Sequence, residues 1–122
     1  MYNKILIATD GSPTAQKAAA RGSELARDVG AEVIYLSVGD PAEKLPVAQQ
    51  AAETFGEGLT VTPLAVEGHP ADVICAVAQE RGVDLIVVGN RGMTETKLLL
   101  LGNVPNQVSH HAPCNLLIVK TT

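Results

Sequence analysis

The chain has 122 residues, 46% of them apolar and 2% aromatic, with a net charge of −4. That length and composition allow one compact domain over residues 1–122, with a core of Val, Ile, Leu and Ala. The acidic balance, the lack of a basic block and the scarcity of stacking rings exclude nucleic acid and anionic membrane as partners. No apolar run approaches the roughly 20 residues needed to span a bilayer.

In chain order, "NKILIAT" (Asn3 to Thr9) reads as a strand rather than a leader peptide, because no small-residue cleavage site follows it. Ser12 and Pro13 then supply a capping hydroxyl and a proline for the first helical position. Ala15, Ala19, Leu25 and Ala26 keep helical spacing until Gly30 closes the helix. "AEVIYLSV" (Ala31 to Val38) is the second strand, broken by "GDP". An Ala- and Gln-rich helix is expected from about Pro46 to Gly56. "LTVTPLAVEG" is the third strand, and a helix follows from Pro70 to near Gly82. "VDLIVVG" is the fourth strand, "VPNQVSHH" a helix, and "CNLLIVK" the fifth strand.

Strands alternating with helices predict an α/β fold: an open parallel sheet with helices on both faces. Pro63 belongs on an edge strand because it cannot donate to a ladder, whereas "ILIA" and "LIVV" read as central. The expected order is the flavodoxin-like 3-2-1-4-5, with a switch point between strands 1 and 4 where such sheets hold ligands. Both "TDGS" and "GNRG" lie at strand C-terminal ends there. The fifth strand is apolar on both faces yet falls on an edge, so a homodimer through antiparallel pairing of strand 114–120 is expected. Cys75 and Cys114 form no CxxC pair, which points to packed thiols in a reducing cytoplasm.

The stretch "VVGNRGMTETKLLLLGNV" places Gly89, Gly92 and Gly102 after the fourth strand and before the last helix. Glycine there lets backbone approach a ligand closely. The following helix N-terminus offers unpaired N–H groups to a phosphate, with Asn103 and Val104 as donors. Read alone, the glycines fit a tight turn equally well. Asp10 and Asp40 are conceivable oxygen ligands for a Mg²⁺ that accompanies a nucleotide, although the simpler account is that Asp10 fixes one turn and Asp40, before Pro41, starts another. No protein metal site, nucleophile–base pair or catalytic residue is defined. His110 and His111 are sequence neighbours whose side chains diverge on a helix, and His69 is a loop residue.

The "TDGS" after strand 1, the "VVGNRG" after strand 4 and the ending "LLGNVPNQVSHHAPCNLLIVK" resemble the universal stress protein family over essentially the whole chain. The G-x2-G-x9-G-[S/T] pattern is that family's nucleotide-binding signature. The resemblance implies the same fold, a dimer, and in one branch a bound ATP or related adenine nucleotide. Carried over by motif, Gly89, Gly92, Gly102 and Asn103 line the phosphate and ribose side, and Arg91 stands beside them. Thr9 and Asp10 sit near ribose and phosphates, and Val38 contacts adenine through its backbone.

Three departures bear on the ligand. Asn103 stands where the family has Ser or Thr, and an amide donates to phosphate without reproducing a hydroxyl's geometry. Glu95 adds negative charge to the loop, offset by Arg91 and Lys97. The segment between strand 2 and the next helix is short for the family. These weaken ATP in particular and leave AMP or a cyclic nucleotide open. Binding with little or no catalysis is expected, since no general base beside a γ-phosphate can be named and the "SGG" loop of ATP-pyrophosphatases is absent. The alternatives are a stress protein that binds no nucleotide and acts through dimer and partner contacts, or a slow nucleotide hydrolase.

Overall fold

The computed structural model describes residues 1–90 and 103–121. Its elements run β1 (Lys4–Ala8), α1 (Pro13–Val29), β2 (Glu32–Val38), α2 (Pro41–Phe55), β3 (Val61–Val66), α3 (Pro70–Arg81) and β4 (Leu85–Gly89), then α4 (Asn103–His111) and β5 (Asn115–Val119). The strands form one sheet in the order β3-β2-β1-β4-β5, and every neighbouring pair is parallel. The expected architecture is therefore the one observed. Pro63 lies on edge strand β3, beside Tyr35 of β2.

Side-chain alternation splits the core into two layers. Leu6, Ile34, Leu36, Ile86 and Val88 face α3 and α4, where Ile74, Val77 and Val108 meet them. Ile5, Ile7, Val33, Tyr35 and Val87 face the other way, against Ala19 and Ala26 of α1 and Ala51 of α2. Each fully buried Ile, Leu or Val contributes roughly 1.5–3 kcal/mol by leaving water. The small buried face of α1 (Ala15, Ala18, Ala19, Gly22, Ser23 and Ala26) lets that helix lie close on the sheet. A Cβ built on Gly22 would stand 2.8 Å from Ile7 Cδ1 and 3.2 Å from Val87 Cγ1.

The helix ends follow their sequence signals. The Ser12 hydroxyl accepts from the Ala15 N–H to open α1, and Gly30, at φ 76°, closes it. α2 differs from expectation, beginning at Pro41 rather than Pro46. The Asp40 carboxylate caps its first turn by accepting from the Ala42 N–H, and Pro41 takes the first helical position. Pro46 then lies inside the helix and cannot donate to the Ala42 carbonyl. Ala42 is exposed, so water can take that acceptor.

Candidate functional site

The parallel registers bring the ends of β1, β2 and β4 to one rim. Ile7 stands beside Val87 and Ala8 beside Leu36, so continuing the two ladders sets Thr9 near Gly89 and Asp10 near Val38. This is the switch point, because β2 and β4 flank β1 on opposite sides. The rim also carries the start of the 91–102 connection. Arg91, Gly92 and Gly102 lie outside the described residues.

The β1–α1 turn is held by its own side chains. Thr9 is buried, its N–H donates to the Leu36 carbonyl, and its hydroxyl accepts from the Gly11 N–H at 3.1 Å. The half-buried Asp10 carboxylate accepts from the Ser12 N–H at 2.9 Å. One Asp10 oxygen thus fixes the turn, and among the described residues no group of three or more His, Cys, Asp or Glu converges to hold a metal. Gly11 has φ 82° and carries Val47 of α2 within 3.1 Å of where a Cβ would stand. Any other residue there would be strained and crowded.

A residue missed from the sequence anchors this turn from below. The buried Ser37 hydroxyl donates to the Thr9 carbonyl at 2.6 Å, tying the end of β2 to the end of β1. Its one sequence signal is a lone serine near the end of the mostly apolar run "EVIYLSV". Next along β2, Val38 is half-buried, and the Gly39 N–H donates to the Val66 carbonyl.

On the other side of the crevice, Gly89 ends β4 buried and paired with Val119. Asn90 was likewise missed. Its N–H donates to the Val119 carbonyl, and its side-chain oxygen accepts from both the backbone N–H and the hydroxyl of Thr121, each at 2.9 Å. The root of the glycine connection is therefore tied to the end of β5. Asn103 and Val104 open α4, so their N–H groups have no acceptor within that helix. The Val104 side chain packs against the core.

A cavity of about 290 Å³ opens between α1 and α2, against Thr9 and Gly11, with Gln16, Val47, Gln50 and Phe55 in its walls. It lies on the α1/α2 side of the turn rather than in the β1/β4 crevice. His110 and His111 are exposed at the end of α4, and their ring centroids nevertheless come within 6.4 Å, edge to face. His69 precedes α3 without a capping side-chain bond. Both cysteines are free, half-buried thiols. Burial, then the Asp72 carboxylate, raises the Cys75 thiol above its ordinary range, and burial, then Asp84, does so for Cys114.

The fold and rim define an open α/β protein with its candidate site where the strand order reverses. The chain belongs to the universal stress protein family, whose model matches residues 1–54 and 42–120. It is 33% identical, over an alignment 148 positions long, to universal stress protein YxiE of Bacillus subtilis, covering 98% of this chain and 100% of that one. It is 34% identical over 143 residues to universal stress protein MJ0531 of Methanocaldococcus jannaschii, covering 98% and 83%. A crystal structure of a universal stress protein in complex with cAMP superposes with a TM-score of 0.86 at 31% identity, covering 99% of this chain and 98% of that one.

Proposed function

We propose that the protein binds an adenine nucleotide in the crevice between β1 and β4 and serves as a binding module in the stress response, with little or no catalysis. The observation that carries this reading is the rim itself, where Thr9–Asp10, Val38 and Gly89 stand together at the switch point. The cAMP complex of a relative supports an adenine nucleotide as the ligand class. On this reading Val38 meets the base through its backbone, Asp10 and Thr9 flank the ribose, and the phosphates lie toward Gly89, Arg91, Gly92, Gly102 and the N–H groups of Asn103 and Val104. Phosphates there would meet the positive end of α4. ATP, AMP and cyclic AMP all fit this description, and Mg²⁺ would accompany only the polyphosphates.

Two protomers pair through β5, whose Leu117 and Ile118 are 37% and 46% exposed on adjacent positions of an edge strand. No helix among the described residues is long and apolar enough to cross a membrane. With both thiols free, the reading places the protein in the cytoplasm.

The site is tested by Gly102→Val, read by nucleotide titration and by oligomeric state. A folded dimer that no longer binds nucleotide is expected. Unchanged affinity in that variant would show that the third glycine does not approach the ligand.

A further inference from the structure

The connection from β2 to α2 consists of Gly39 and Asp40 alone. The alignment with YxiE covers 148 positions, against 122 residues in this chain, so this chain lacks chain that the relative has. The two family-model matches overlap at residues 42–54, within α2. In this chain the two-residue connection seats α2 directly against the rim. Val47 packs on Gly11, and Lys44 packs on Gly39: a Cβ on Gly39 would stand 2.8 Å from Lys44 Cγ and 3.0 Å from Lys44 Cε. Gly39 also has φ 145°, so this position admits the lysine stem because it carries no side chain of its own.

Lys44 breaks the local rules of its helix in three ways. It sits on the inward stripe of α2, one turn before Ala48 and in line with Ala51 and Phe55, where apolar residues belong. It is the fourth helical residue, where the helix dipole disfavours a cation. Among the described residues no carboxylate pairs with it, and the ion pair there is Arg21–Glu24. The Asp40 carboxylate, one turn before it, is engaged with the Ala42 N–H. Such local conflicts are expected at functional or strained positions.

We propose that Lys44 contacts the purine base: its ammonium, carried over the end of β2 on a stem packed against Gly39, donates a hydrogen bond to a ring nitrogen of the nucleotide bound beside Val38. The inference rests on the nucleotide site proposed above. Phosphates would lie at the far side of the crevice, toward Gly89 and α4, while Lys44 stands at the β2 end. Purine ring nitrogens are acceptors, and a lysine offers three donors and no acceptor.

The test is Lys44→Met in the full chain, which keeps a stem over Gly39 and removes the ammonium. Its affinities for adenosine, AMP and ATP are compared with those of the parent by calorimetry. Loss of a charge-assisted bond predicts about tenfold weaker binding or more, by a similar factor for all three ligands, with the ligand-free Tm unchanged. Lys44→Arg recovers part of the loss, and Lys44→Ala supplies the same comparison should the Met variant misfold. Equal affinity in parent and Met variant would reduce Lys44 to a stem that covers Gly39, and so overturn the proposal. A loss that grows from adenosine to ATP would assign the ammonium to phosphate and overturn the base contact. A parent that binds none of the three would refute the nucleotide site and the Lys44 contact with it. That failure is told apart because it appears before any substitution is made.

Discussion

Ser37→Ala isolates the bond that holds the two strand ends under the site. The Ser37 hydroxyl is fully buried and donates to the carbonyl of Thr9, itself 1% exposed, at 2.6 Å. The substitution removes one oxygen and opens almost no void, so its cost reports the hydrogen bond rather than lost packing. A buried acceptor deprived of its donor costs about 1–3 kcal/mol, and the apolar gain of alanine offsets a fraction of that. A net loss of about 1–2 kcal/mol is expected. At roughly 2.1 cal/mol/K of unfolding entropy per residue, a chain of 122 residues loses about 4 °C of Tm per kcal/mol, so Tm should fall by roughly 4–8 °C. Urea unfolding with an unchanged m-value would place the effect in the folded state. Because the bond sets the Thr9–Ser12 turn, nucleotide affinity should fall in the same variant. A variant within about 0.5 kcal/mol of the parent, with unaltered affinity, would refute the anchoring role.

Gly22→Ala gains roughly 1 kcal/mol of helix propensity but drives a methyl into Ile7 and Val87, both fully buried, at 2.8 and 3.2 Å. A net loss of about 1 kcal/mol is expected by urea unfolding, and a stabilised variant would show that α1 can ride up without cost. The buried Tyr35 and Ser23 hydroxyls share a hydrogen bond of 2.7 Å, and burial raises the Tyr35 phenol above its ordinary range despite Ser23 and Arg27. The folded state therefore holds this proton more tightly than the unfolded chain, so stability is intact below the ordinary phenol range and declines as pH rises past about 10. Tyr35→Phe should flatten that alkaline decline, and an unchanged pH profile would contradict the assignment. Leu117→Glu with Ile118→Lys should convert the proposed dimer to monomer in sedimentation, whereas an unaltered dimer would place its interface elsewhere. Cys75 and Cys114, both raised by burial, should alkylate slowly at neutral pH in the native protein and quickly once it is unfolded.

The sheet order was legible because its signals were local and agreed with one another. Pro63 marked an edge, "ILIA" and "LIVV" marked centres, and the first three crossover helices opened with a proline and closed at a glycine. α2 was misread because two prolines competed for its start. Asp40–Pro41 carried the stronger signal, a capping carboxylate followed by proline, but it also looked like the break that ends β2. Residues whose role lies through space were not legible. Ser37 reaches Thr9 across 28 positions and Asn90 reaches Thr121 across 31, and no periodicity announces either contact. Lys44 became visible only when α2 was seen to begin at Pro41, which puts the lysine on the inward stripe. The glycines of the site were identified through motif and family resemblance, and their Gly92 and Gly102 members lie outside the described residues.

Titration calorimetry of ligand-stripped protein with cyclic AMP, AMP, ADP, ATP with and without Mg²⁺, and GTP tests the central claim most directly. The account predicts saturable binding of at least one adenine nucleotide, near one per protomer, with GTP weaker. A thermal gain of roughly 2.7 kcal/mol should appear at a hundred times Kd. Heat-silent titrations of a demonstrably nucleotide-free, folded protein, with no shift in Tm, would contradict it and leave the rim as a shaped surface for protein partners.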